Sequence, residues 1–237
     1  MSIWTRIAEA IAALAKGEGL GTILDRLRAA PAPERSLGFT IAVIALGAKM
    51  AKADGHVTRD EVSTFRRIFA IPDDEAANAA LVFNLARQDV AGFDAYARKV
   101  SALFRKPDEP LCADDRNVLI DLLEGLFHIA MADGNYHPGE DDFLWHVARI
   151  FGLDDRCFST LRARFVEGAP RDPFDVLGIA HTATVAEARA AWKQAVRDSH
   201  PDAMIARGVP AEAVKLAERR LIAINAAWEE ISTRRAA

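Results

Sequence analysis

The tripeptide His200-Pro201-Asp202 is the first place to look for chemistry in this sequence. An imidazole and a carboxylate two residues apart could share a proton, but hydrolysis would also need an activated nucleophile. No Ser or Cys stands in a recognisable nucleophile setting, and Pro201 is expected to hold the two side chains apart. The sequence therefore does not read as an enzyme, and recognition is the chemistry that remains. Pro201 should stop the preceding helix and keep His200 extended, leaving a loop over residues 199–210. The Asp202 carboxylate would then stand on a stiffened bend, able to accept paired hydrogen bonds from an arginine of a partner. Just upstream, Arg189, Lys193 and Arg197 recur at intervals of four. They drift only about 40° per step around a helix and form one basic stripe, which is either a solvated face or part of a contact surface.

A second set of chemistry-bearing residues occurs twice. Ala53-Asp54-Gly55-His56-Val57-Thr58-Arg59-Asp60-Glu61 returns 79 positions later as Ala132-Asp133-Gly134-Asn135-Tyr136-His137-Pro138-Gly139-Glu140. In each copy the glycine can take positive φ and end one helix. Thr58 and Glu61 form a capping-box pattern that starts the next helix. In the second copy Pro138 suits the first helical position, and Glu61 and Glu140 both lie where the helix dipole favours an anion. The Asp-Gly…Glu spacing also matches the second half of a calcium-binding EF-hand loop. The first and third ligand positions would then be Met50 and Lys52, or Ile129 and Met131, which do not supply oxygen donors suited to calcium. Four carboxylates remain, Asp54, Glu61, Asp133 and Glu140. They serve as caps and turn formers, or the hairpin symmetry gathers them around a divalent cation; no cofactor is otherwise required.

The elements that must position these groups are helices. No stretch alternates in the strand manner over six or more residues, and three- to four-residue apolar spacing dominates. We expect an all-α protein in which two repeated helical hairpins form one bundle and a small antiparallel hairpin follows. Prolines divide the chain, most sharply at Pro170 and Pro173, since each removes a helical donor and constrains its predecessor. The expected units are an amphipathic segment over 1–30, a helical domain over 36–166 and a C-terminal domain over 172–235. In the last, a capping box from Thr184 to Glu187 opens the basic helix. Val214, Ala217, Leu221, Ile224, Trp228 and Ile231 should line one face of the final helix, met by Ala188, Ala191, Trp192, Ala195 and Val196.

Composition limits the remaining choices. Of 237 residues, 51% are hydrophobic and 27% charged, which excludes disordered and fibrous classes. The net charge of −4 offers no global field for nucleic acid. The two cysteines, Cys112 and Cys157, have neither zinc-ligand spacing nor a disulfide pattern, and fit a reducing cytosol. The uncharged run over 36–48 is too short to span a bilayer, which takes about 20 residues. Arg6, Glu9, Lys16 and Glu18 interrupt the N-terminal segment, excluding a signal peptide there. Trp4, Ile7, Ile11 and Leu14 give that segment an apolar stripe, suited to docking on the protein or a second subunit, or to peripheral contact with the inner face of a membrane. From Arg171 onward stand ten of the thirty basic and nine of the thirty-four acidic side chains, so the net acidity belongs upstream.

Two resemblances follow. The repeated A-D-G-x-[VY]-x-x-x-E hairpins resemble the TerB family, a helical module named from tellurite-resistance proteins; this implies suspected metal binding and a role in stress response. The C-terminal segment, with D-x-x-x-V-L-G-I at Asp172–Ile179 and H-P-D between a basic and a longer helix, resembles the J domain. That resemblance implies a co-chaperone that binds a DnaK-type ATPase and accelerates its hydrolysis of ATP, through His200, Pro201, Asp202, Arg189, Lys193 and Arg197. A J domain behind a TerB-like module is similar to the DjlA subgroup, whose members typically carry an N-terminal membrane segment that this sequence lacks. Ser199 and Ala203 stand where many J domains have Tyr or His and Lys, and Asp198 adds an anion, which together imply weaker or more selective docking. No Gly/Phe-rich or zinc-repeat client-binding segment occurs, so targeting or recruitment of an unknown client falls to the upstream domain. The alternative is a metal-responsive stress module in which the J domain is secondary.

Overall fold

The computed structural model describes residues 32–53, 73, 76–77, 80, 92–104, 113–132, 134–166, 172–206, 209 and 215–234. The N-terminal segment 1–30 lies outside them, as does the first repeat from Asp54 to Glu61 and Asp133 of the second. Regular structure among the described residues is helical, as the apolar spacing requires.

The first helix, α1 (Ala32–Ala53), explains the uncharged run. Every residue from 39 to 50 is buried, so the helix is covered on all sides, the position a helix apolar all round must take. It is surrounded by α2 (Phe93–Phe104), α3 (Ala113–Ala130) and α4 (Pro138–Ile150). A Cβ on Gly47 would stand 3.2 Å from Cδ1 of Ile129, so this glycine permits the close approach of α1 and α3. The one buried ammonium of the run, Lys49, lies 4.9 Å from the Tyr96 ring centre, where the ring quadrupole favours a cation. Among the described residues no helix is long and apolar enough to cross a membrane.

The second hairpin forms as its turn chemistry predicts. Gly134 takes φ +84°, and its N–H donates to Met131 O behind the end of α3. Pro138 is the first residue of α4, and Glu140 reaches back to accept the His137 N–H at 2.9 Å. Phe143, Leu144, Val147 and Ala148 then face the core. A short turn leads into α5 (Asp155–Phe165), capped by Asp154, whose carboxylate accepts the Cys157 N–H at 2.7 Å.

The C-terminal unit comprises α6 (Pro173–Val176), α7 (Val185–Asp198), α8 (Pro201–Ala206) and α9 (Lys215–Arg234). Its own core is Val176, Leu177, Ala188, Ile224, Ala227 and Ile231. The Trp192 and Trp228 rings stack at 5.5 Å, and Trp192 donates to Asn225 at 2.8 Å, joining α7 to α9 as an antiparallel pair. Of the face expected on α9, Ile224 and Ile231 are buried and Leu221 and Trp228 half-buried, while Val214 and the Ala217 side chain lie outside the described residues. Arg220 and Ala227, not expected there, are buried beside them and shift the face to one side. The polar side chain in that face hid the shift from a count of apolar positions.

Candidate functional site

Thr184 starts the basic helix. Its hydroxyl accepts the Glu187 N–H at 3.2 Å while Glu187 accepts the Thr184 N–H at 2.7 Å, a reciprocal capping box. Those bonds, from the Thr184 backbone first and its hydroxyl second, hold the Glu187 carboxyl below its ordinary range. From this start α7 presents three faces. Ala188 and Trp192 meet α9. A second face, with Ala191, Gln194 and Asp198, lines a cleft of about 390 Å³ against α3 and α5. Arg189, Lys193 and Arg197 occupy the third and are exposed. Within the helix Arg197 donates to Gln194 at 2.6 Å, and Gln194 donates to Asp198 at 2.9 Å. The Asp198 carboxylate is thus engaged on the cleft side of the stripe.

The helix ends at Ser199, which is buried and returns its hydroxyl to Ala195 O at 2.7 Å. His200 N–H donates to Arg197 O at 3.1 Å, which ties the tripeptide directly to the end of the stripe. Here the structure corrects two expectations. The segment after Ser199 is not all loop, because residues 201–206 form α8. Pro201 is its first residue, where a missing N–H costs nothing, and His200 caps it. The His200 ring Nδ1 accepts the Asp202 N–H at 3.2 Å, and its carbonyl accepts the Met204 N–H at 3.0 Å. Nor does Pro201 hold the two side chains apart, since His200 Nδ1 and Asp202 Oδ2 are 3.7 Å from each other. The ring and the carboxylate are both exposed, at 61% and 89%, so both remain accessible to another protein. Accepting the Asp202 N–H requires a lone pair on Nδ1, which leaves the proton of the neutral ring on Nε2.

Cys157 lines the same cleft. Burial pushes its thiol up, opposite to what a nucleophile requires. Of the four carboxylates proposed for a cation, Asp54, Glu61 and Asp133 lie outside the described residues. Glu140 is 3% exposed and caps α4.

Sequence reasoning passed over a further group. Arg220 of α9 reaches Asp121 and Glu124 of α3, and Arg164 of α5 reaches Glu124 at 3.3 Å. Burial pushes the Glu124 carboxyl up, and the Arg220 and Arg164 guanidiniums pull against it. The signal was present in two acidic residues, three apart, inside the apolar run of α3.

The family described as "Tellurite resistance protein TerB" matches residues 40–163, more than half of the chain. The chain belongs to the TerB family. The TerB match takes in most of α1, all of α2 to α4 and most of α5, the bundle against which the C-terminal hairpin rests. Over a longer span the chain is similar to proteins named co-chaperone protein DjlA. That of Photobacterium profundum is 27% identical over 224 residues, covering 84% of this chain and 78% of the relative. That of Coxiella burnetii is 26% identical over 202 residues, covering 77% and 72%. The protein from Escherichia coli (strain K12) is 23% identical over 270 residues, covering 98% and 97%. No solved structure matches at a significant level.

Proposed function

We propose that this chain is a J-domain co-chaperone whose residues 172–235 bind a DnaK-type ATPase and stimulate its hydrolysis of ATP. One observation carries the reading: an exposed His200-Pro201-Asp202 turn is hydrogen-bonded to the end of an exposed Arg189, Lys193, Arg197 stripe. The arrangement displays an exposed carboxylate next to the end of a row of exposed cations. A partner with an arginine opposite Asp202 and acidic groups opposite the stripe would satisfy both. The likeness to DjlA proteins across nearly the whole chain supports the same reading. The TerB domain, over 36–166, serves targeting or client recruitment, and the protein works in the cytoplasm, with residues 1–30 suited to docking on the protein or a second subunit or to peripheral contact with the membrane.

The test is single-turnover ATP hydrolysis by a purified DnaK-type chaperone, with and without this protein. Wild type raises the rate, and His200→Gln abolishes the increase while leaving the helical circular-dichroism signal unchanged. Equal stimulation by both proteins would overturn the proposal.

A further inference from the structure

The TerB bundle and the C-terminal hairpin share a buried junction, and one of its residues is hydrogen-bonded to the partner-binding turn. Its first seat is polar. Arg220 is 5% exposed; its Nε donates to Glu124 at 2.6 Å, and its Nη2 reaches both Glu124 and Asp121. Both carboxylates are fully buried on α3. Arg164 completes the group, donating from Nη1 to Glu124 at 3.3 Å and from Nε to Val176 O at 3.1 Å. Two cations thus meet two anions. Desolvation offsets much of the attraction in such a group, but guanidinium geometry is directional, so the group fixes orientation.

The second seat is apolar. Met204 of α8 and Val209 are both fully buried, and both belong to the core of the upstream bundle, apart from the hairpin's own core. Met204 N–H donates to His200 O, and Val209 N–H donates to Met204 O. The residue seated in the bundle is therefore hydrogen-bonded to the first residue of the recognition turn. The stripe on α7 stays exposed.

We propose that Arg220 and Met204 are positioning residues that clamp the His200–Asp202 turn to the TerB bundle at two points, so that the bundle sets how the turn is presented beside the basic stripe. The functional half of this proposal rests on the co-chaperone reading; the structural half rests on the geometry alone. The bundle is then a working part of the recognition surface as well as an address.

The experiment uses the full chain. Asp121→Asn with Arg220→Met removes one charge of each sign, leaves the Arg164–Glu124 pair at 3.3 Å intact, and keeps volume nearly constant. Met204→Ala empties the apolar seat with the charges intact, and Met204→Leu refills it. Hydrogen exchange followed by mass spectrometry should show residues 199–209 exchanging about tenfold faster in the double variant and in Met204→Ala. Exchange of α4 should stay unchanged, and Met204→Leu should restore the wild-type rate. With a purified DnaK-type chaperone, the same two variants should lose maximal stimulation severalfold at an unchanged half-saturating concentration. Simple loss of folded protein would instead raise that concentration and speed exchange in α4, and would overturn the positioning role. Wild-type exchange of 199–209 in both variants would overturn the clamp. Should wild type stimulate no DnaK-type ATPase, the co-chaperone reading fails, and the exchange rates still decide whether the clamp exists.

Discussion

His200 does two things at once: its ring caps α8, and its exposed edge stands beside Asp202 at the end of the stripe. Histidine is outside the usual set of capping residues, Ser, Thr, Asp and Asn, which is why α8 was not legible in the sequence whereas α7 was. The Thr184–Glu187 box illustrates the legible case, since both partners lie within one turn and are of the expected types. Thr184→Ala should cost about 1 kcal/mol, seen as a lower urea midpoint with an unchanged slope. Glu187 adds a pH signature. Its carboxyl is held below the ordinary value of 4.5, so its contribution is fully present above that value and is lost as pH falls through the depressed one. An acid titration of wild type and Glu187→Gln should show stabilities that differ at neutral pH and converge as the medium is acidified below that point. The His200→Gln assay belongs to this scale as well, because it asks what one ring does at one surface.

Helices were readable where their faces are uniform. α1 was legible as an apolar run, and α4 as a turn, a proline and an amphipathic repeat. The face of α9 was read in part: Ile224 and Ile231 are buried as expected, and Arg220 was missed because periodicity counts only apolar side chains. The buried face makes a prediction about packing. Ile224 is fully buried between α6, α7 and the bundle, so Ile224→Ala should destabilise the protein by about 2–5 kcal/mol. Ile222, 70% exposed on the same helix, should tolerate alanine within about 0.5 kcal/mol. Thermal or urea denaturation of the two variants checks the assignment, and similar losses at both positions would contradict it. The stripe on α7 is also an element-scale feature, because its three cations act as a row. Replacing Arg189, Lys193 and Arg197 with alanine should raise the half-saturating concentration of the protein in the ATPase assay with little change in fold. Added salt should do the same to wild type, since exposed charges are screened beyond about 8–10 Å at physiological ionic strength.

At the scale of the whole molecule, least was legible. Arg220 and Glu124 are 96 residues apart, and local periodicity does not relate such distant positions. The sequence suggested separate domains joined at Pro170 and Pro173. The structure shows Val176 O accepting from Arg164, Arg220 buried against α3 and Met204 in the upstream core, so two units with separate cores pack together through a buried junction. The uncharged run in α1, first met as a question about membranes, ends at the centre of the bundle. Its central position has a consequence for synthesis. Translation proceeds at about 5–20 residues per second, so some 5–20 s separate the emergence of α1 from that of α4, which helps to cover it. Through that interval α1, the most apolar of the described helices, lacks the native cover that α4 gives it.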